Sequence, residues 1–231
     1  MLFDKVEFKN RLEFKGAVVG MAYGDGSLTK KYTPNSNSAL VLTHGPKQKK
    51  YLEWKADLLR YLTNVGIYKN VSNRSAHDKN PKKFPDNYVG YRAQTGRHPF
   101  YTAIRDRMYL NSRKVIDDHL IKVLSPLGLA IWFLDDGTLD NSNPSHSRLW
   151  WGLCKYSRPE LELLVYRLHQ RWGFRWKIAK RPKNYVLVMN KWADILKFYD
   201  VIEPWIPPYM AYKSFERTKP PAGNNWIKTS G

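Results

Sequence analysis

The chain has 231 residues, 42% of them hydrophobic, which suits one large or two small folded domains and excludes a disordered tail. Lys and Arg number 39 against 20 Asp and Glu, leaving a net charge of +19, an excess that points to a polyanionic partner, DNA or RNA. The single cysteine, Cys154, excludes an internal disulfide and a cysteine-based zinc site, and no apolar run reaches the roughly 18 residues of a membrane span.

The segment Met1 to Phe14 is charged throughout and lacks the apolar stretch of a signal peptide, so an intracellular protein is expected. Gly16 to Gly26 (GAVVGMAYGDG) then reads as a short buried helix that breaks at Asp25-Gly26. Leu40 to Thr43 is strand-like. An amphipathic helix over about 47–64 stops at Gly66, placed for a left-handed C-terminal cap. Tyr88 to Thr95 is again strand-like, and a third helix covers about 99–109.

After a junction between Asn111 and Ser125 the order repeats. Leu127 to Gly137 (LGLAIWFLDDG) is a second buried helix with an acidic end; Ser125 can cap it and Pro126 can take its first position. Leu149 to Leu153 is strand-like. A helix over about 160–172 follows, with capping-box spacing at Ser157 and Glu160 and a stop at Gly173. Strand-like Phe174 to Ala179 and Tyr185 to Met189 precede a last helix over about 191–201. The tail from Lys219 looks irregular. The expected class is therefore α+β: two pseudo-symmetric αββαββα halves, 1–118 and 119–231, packed on each other through the two acidic helices.

Gly16, Gly20 and Gly24 recur every four residues and share one helix face. Glycine costs roughly 1 kcal/mol against alanine inside a helix, so three in a row suggest a second backbone close by. A flexible helix end is the plainer explanation, but the matched second segment supplies a natural partner. Side by side, the helices would bring Asp25 and Asp136 together. An Asp-Asp-Gly taken alone also describes a surface turn. Two converging carboxylates repel unless a cation lies between them, and a hard divalent ion such as Mg2+ takes oxygen ligands of this kind.

These two segments resemble LAGLIDADG motifs, the second more specifically. It is similar to the variant found in single-chain endonucleases encoded within mitochondrial introns. That subgroup has a Lys-Lys-x-Ile-like signal, matched by Arg113-Lys114-Val115-Ile116, and a closing signal matched by Pro204 to Lys213 (PWIPPYMAYK). The resemblance runs from about Phe14 to Ser214. It implies a monomeric, site-specific nuclease that cuts both strands of DNA and leaves 3′ overhangs, in an organelle or in a prokaryotic or phage setting. An RNA-binding intron maturase is the alternative. It implies metal binding by Asp25 and Asp136, with the backbone carbonyls of Gly24 and Asp135 as second candidates. Lys114 and Lys213 match the basic residues beside the scissile phosphates, although Arg113 competes with Lys114 because the register there requires a small gap, and an ordinary surface lysine is the plainer reading of each. Mg2+ is the implied cofactor; Mn2+ should substitute, and Ca2+ should support binding without cleavage.

The chain departs from the common motif at Ile131 and Trp132, where many relatives have a small residue, and at Tyr23, where many have another acid. The implied fold has one antiparallel sheet per half lying in the DNA major groove, which a β-ribbon fits. Candidates for the DNA-facing residues are Lys30, Lys31, Arg92, Gln94, Arg148, Lys155, Arg175, Lys177, Lys180 and Arg181, with Arg175 and Lys177 on one face. A solvated outer face would look the same for any one of them. Gly66-Ile67-Tyr68 resembles half of another nuclease signature without its partner. Asp117-Asp118-His119 is assigned to a connecting helix, the six histidines form no zinc pair, and there is no P-loop motif.

Overall fold

A computed structural model describes residues 7–73, 87–140 and 147–215; the tail from Lys219 lies outside them. The first half runs α1 (Arg11–Tyr23), β1 (Ser27–Leu28), β2 (Leu40–His44), α2 (Lys49–Leu59), β3 (Val65–Asn73), β4 (Asn87–Thr95) and α3 (Pro99–Met108). A hairpin of β5 (Tyr109–Leu110) and β6 (Arg113–Lys114), then α4 (Asp118–Lys122), leads onward. The second half runs α5 (Pro126–Asp136), β7 (Gly137–Asp140), β8 (Arg148–Trp151), α6 (Arg158–Trp172), β9 (Lys177–Lys180), β10 (Tyr185–Met189) and α7 (Trp192–Ile202). The αββαββα order is present twice, as the repeat predicts. Both four-stranded sheets are antiparallel and share one topology, β1-β2-β4-β3 and β7-β8-β10-β9. No helix among the described residues is long and apolar enough to cross a membrane.

Each sheet turns one face to its helices and leaves the other open. In the first, Leu40, Leu42 and Ala93 are buried, while Thr43 and Tyr68 of the opposite parity are exposed. In the second, Leu149, Trp151, Leu187 and Met189 are buried, while Thr138, Arg148 and Lys177 line the other face and are exposed.

Between the halves lie α1 and α5. A helix apolar on every side must sit inside a core, and both do: all residues from Gly16 to Gly24 and from Leu127 to Leu134 are buried. Their starts are fixed locally. The side-chain oxygen of Asn10 accepts the N–H groups of Leu12 (3.0 Å) and Glu13 (2.9 Å), and Ser125 Oγ accepts that of Gly128 (3.1 Å) ahead of Pro126. Their contact runs through glycine. A Cβ on Gly20 would lie 1.9 Å from the Gly128 carbonyl oxygen, and one on Gly128 would lie 2.0 Å from that of Gly16.

Some local expectations change. Helix α2 ends at Leu59, and Gly66 is the second residue of β3 instead of a helix cap; the described glycine with positive φ is Gly173, at +69°, closing α6. The interval from 60 to 64 turns in a short run of backbone bonds such as Thr63 N–H to Leu59 O, so the helix needs no left-handed glycine there. Phe174 and Trp176 pack in the core ahead of β9, which starts only at Lys177. Glu160 accepts the Ser157 N–H at 2.8 Å, in the capping-box sense. Asp117 caps α4 through Leu120 N–H, and Asp118 pairs with Lys122 and Arg167, which accounts for that acidic cluster.

Helix propensity alone would make Gly20→Ala stabilising by roughly 1 kcal/mol. Because the new methyl would meet backbone, the variant is expected instead to destabilise by at least about 2 kcal/mol. Urea unfolding decides the sign; a gain in stability would contradict the close helix contact.

Candidate active site

Both central helices end at an acidic residue because the backbone turns there into a strand. The Gly24 N–H closes α1 on Gly20 O (3.0 Å), and the chain enters β1 two residues after Asp25. The Gly137 N–H closes α5 on Phe133 O, and Gly137 already belongs to β7. The last carbonyls of a helix have no partner within it and favour a nearby cation. Lysines take them in both halves. Lys114 Nζ donates to Gly24 O (3.3 Å) and Gly26 O (2.6 Å), while Lys213 Nζ donates to Leu134 O and Gly137 O (3.0 Å). The two lysines singled out from the sequence thus hold matching places.

Two turns of backbone deliver them. In the β5–β6 hairpin, Asn111 (φ 49°) and Ser112 (φ 66°) are both left-handed, as a tight two-residue loop requires, and Lys114 follows. Lys213 ends a 3-10 turn, Pro208–Lys213, and the Tyr199 hydroxyl donates to its carbonyl at 2.7 Å.

The departures at Tyr23 and Trp132 are coupled. Their rings stack at 4.6 Å and 17° across the interface. The Tyr23 hydroxyl donates to Val115 O (3.2 Å) and accepts from Asp117 N–H (3.0 Å), holding the strand that carries Lys114. The Trp132 indole donates to Asp136 Oδ2 at 3.2 Å.

The carboxylates of the second turn, Asp135 and Asp136, are close enough for their charge to act on Asp25. Burial first, then the charge of Asp135, pushes Asp25 up to about 6. Burial also raises Asp136. Burial lowers Lys213, and burial with the neighbouring Lys155 lowers Lys114 to about 7. Among the described residues neither Asp25 nor Asp136 has a Lys or Arg ion pair. Two carboxylates whose proton affinity is raised by burial and by the neighbouring Asp135 fit a hard divalent cation.

Asp135 is different. Its carboxylate accepts Lys55 Nζ at 2.8 and 3.1 Å, both side chains fully buried, and it also accepts the Asp25 N–H at 3.0 Å. Removing either partner alone would strand a buried charge at about 3–5 kcal/mol. His44 lies beside Asp25, Nδ1 to Oδ2 3.6 Å, with Nδ1 also 3.0 Å from Gln48 Oε1; burial, then Lys55, holds it near 4 and so neutral. Asp25, His44 and Asp135 place donor atoms within 4.8 Å of one another, but Lys55 already occupies Asp135.

Sequence reasoning missed Lys55 and His44. Lys55 had a signal: it stands with Tyr51, Leu52, Leu58 and Leu59 in the buried stripe of α2, where an unpaired lysine is not tolerated. His44 ends a strand and had none.

The ten residues picked for DNA contact scatter more. Arg92 and Gln94 lie on the first sheet's open face, joined at 2.8 Å, opposite Thr43 and Val41. Lys30 and Lys31 are exposed just after β1, and Lys31 reaches Asp106 at 3.5 Å. Arg148 and Lys177 lie on the second sheet's open face, and Arg181 covers the ring of Trp150 there at 4.6 Å. Lys180 has the opposite parity on the edge strand β9. Arg175 precedes β9, alternates with the buried Phe174 and Trp176 as Lys177 does, and pairs with the buried Asp194 of α7 at 2.7 Å. Lys155 reaches Tyr23 O at 3.0 Å and belongs to the acidic centre.

Residues 15–195 match the model of the LAGLIDADG DNA endonuclease family. The chain belongs to that family. Among solved structures, the homing endonuclease I-WcaI bound to its DNA recognition sequence superposes with a TM-score of 0.75 at 20% identity, covering 91% of this chain and 89% of that one. A probable intron-encoded DNA endonuclease 3 of Mycosarcoma maydis is 29% identical over 128 residues, 53% of this chain and 91% of its own. Protein RecA of Mycobacterium gastri is 29% identical over 212 residues, 87% of this chain and 46% of its own. The chain thus spans about half the length of the RecA relatives it matches.

The raised Asp25 has a testable consequence in metal-free protein. Its proton is held more tightly in the folded state (about 6) than at the ordinary 3.8, so its contribution to stability is full below about 3.8 and lost as pH rises through about 6. Asp25→Asn removes that loss. Thermal unfolding in chelator should show the variant melting above the parent at a pH of about 8, with the advantage gone near pH 4. A variant that melts lower at the alkaline pH would contradict the assignment.

Proposed function

We propose that the chain is a sequence-specific endonuclease that hydrolyses both strands of duplex DNA at a long asymmetric site, leaving short 3′ overhangs, with Mg2+ as cofactor. One observation carries this reading. Asp25 and Asp136 converge at the ends of the two central helices, each with a lysine on its own turn, between two sheets with open, basic faces. The DNA-bound state named for the I-WcaI structure supports duplex DNA as the partner.

The carboxylates of Asp25 and Asp136, with the carbonyls of Gly24 and Asp135, would hold the cation. A bound divalent ion supplies Lewis acidity toward the phosphate and a more acidic water nucleophile. Lys114 and Lys213 would stand beside the scissile phosphates, where an ammonium stabilises charge growing on the phosphorane or orders the attacking water. Lys155 adds a third ammonium. The halves 1–118 and 119–231 would each read one half-site, and because they differ in sequence the site is not a palindrome. A single chain carries both carboxylates, so a monomer suffices. Mn2+ should replace Mg2+, and Ca2+ should support binding only.

The test is cleavage of a plasmid library of candidate insertion sites. Double-strand cuts are expected in Mg2+, falling at least about 100-fold in Asp25→Asn and in Asp136→Asn, with affinity in Ca2+ changed by less than about three-fold. Binding without cleavage at any site, together with stimulated intron splicing, would favour an RNA maturase. Equal collapse of affinity would make the carboxylates structural.

The sheet faces give a second expectation. Lys177→Ala should lower affinity and reduce the salt dependence of log K by about one unit of slope, while Arg175→Ala should leave that slope nearly unchanged. Equal effects from the two would mean that the Asp194 pair does not withhold Arg175 from the phosphates.

A further inference from the structure

The two acidic turns are not equivalent, and the difference is a buried brace present at one of them. In the repeat, Asp135 corresponds to Gly24. The Asp135 side chain crosses the interface into the space a Cβ on Gly24 would fill; such an atom would lie 2.4 Å from Asp135 Oδ2. There it takes the N–H of Asp25, the first amide beyond the capping bond of α1. Lys55 holds it from the other side, and the ring of Tyr51 lies 4.2 Å from the Lys55 ammonium. Both members of the ion pair have no exposed side-chain surface. Among the described residues Asp136 has no reciprocal brace: its backbone ends α5, its carboxylate accepts the Trp132 indole of the same helix, and the residue matching Asp135 in the first half is a glycine.

We propose that Lys55 is a positioning residue. Acting through Asp135, it fixes the backbone of Asp25 and so makes the strand hydrolysed beside Asp25 depend on a brace that the other strand does not need. This rests on the nuclease reading above. Lys55 touches no reacting atom. Its effect runs through one hydrogen bond, Asp25 N–H to Asp135 Oδ2, the bond that holds the backbone of Asp25 itself on a turn whose neighbouring carbonyls, Gly24 O and Gly26 O, are taken by Lys114. Because the pair joins α2 of one half to α5 of the other, it also couples that aim to the closeness of the halves.

Removing one partner would leave a bare buried charge and could unfold the protein. The double variant Lys55→Met/Asp135→Leu removes both charges at similar volume and leaves the backbone carbonyls in place. Asp135→Asn keeps an oxygen acceptor for the Asp25 amide but leaves the Lys55 ammonium without a countercharge, so it is compared only after circular dichroism shows it folded, and the double variant carries the test where it is not. Two measurements apply to the parent and both variants. The first is hydrogen exchange at the Asp25 amide, by NMR, in metal-free and DNA-free protein. Protection is expected in the parent, largely retained in Asp135→Asn and lost in the double variant. The second is strand-resolved cleavage in Mg2+ of a duplex labelled differently on its two strands. The double variant should slow one strand about ten-fold or more relative to the other, so that nicked duplex accumulates. Asp135→Asn should show a smaller shift of the same ratio.

Equal slowing of both strands would overturn the proposal and leave the pair as interface structure. An Asp25 amide that exchanges no faster in the double variant would overturn it irrespective of any cleavage. A parent that cuts no DNA would instead sink the nuclease reading, and with it the strand bias, while the amide still reports whether the brace exists.

Discussion

Two backbones touch at the centre of this protein, and most of its other features follow from that contact. Gly20 and Gly128 leave no room for a methyl between α1 and α5. Such an approach is bought with helix propensity, since glycine is a poor helix former, and it is offset by burying two helices that are apolar on nearly every side. The return is positional. Helices this close, with their C-terminal ends together, place Asp25 within reach of the charges of Asp135 and Asp136.

That juxtaposition would be unfavourable alone. Three carboxylates, Asp25, Asp135 and Asp136, lie in a largely buried centre with four lysines, Lys55, Lys114, Lys155 and Lys213. The lysines do different things. Lys55 neutralises Asp135 outright, whereas Lys114, Lys155 and Lys213 bind helix-end carbonyls and, among the described residues, make no ion pair with Asp25 or Asp136. The tightly packed interface holds both carboxylates in place although burial raises the proton affinity of each.

The sequence disclosed the pattern that repeats and hid what occurs once. The doubled αββαββα order, the glycine face, the caps at Ser125, Ser157 and Gly173, and the matched Lys114 and Lys213 each had a local or repeated signature. Gly66 misled because a glycine after an amphipathic run signals a cap, yet the helix had already ended and the residue was free to start a strand. The alternation from Phe174 to Lys177 was legible, but not the buried aspartate on α7, 19 residues on, that pairs with the Arg175 guanidinium. Lys155, a DNA-facing candidate on its sequence, gave no sign of its bond to the Tyr23 carbonyl, 132 residues away. The Lys55–Asp135 pair was out of reach for the same reason: it joins positions 80 residues apart and has no counterpart in the other half against which to recognise it. Tyr23 and Trp132, each a departure from the common motif, explain one another only once their rings are seen to stack.

The central claim is that Asp25 and Asp136, and not the cluster of Asp25, His44 and Asp135, form the metal centre. Anomalous diffraction from crystals of the protein bound to its insertion-site DNA and soaked with Mn2+ tests it most directly. The account predicts Mn2+ density between the carboxylates of Asp25 and Asp136, with the Lys55–Asp135 pair intact. Density seated instead on Asp25, His44 and Asp135, with Lys55 displaced, would contradict it.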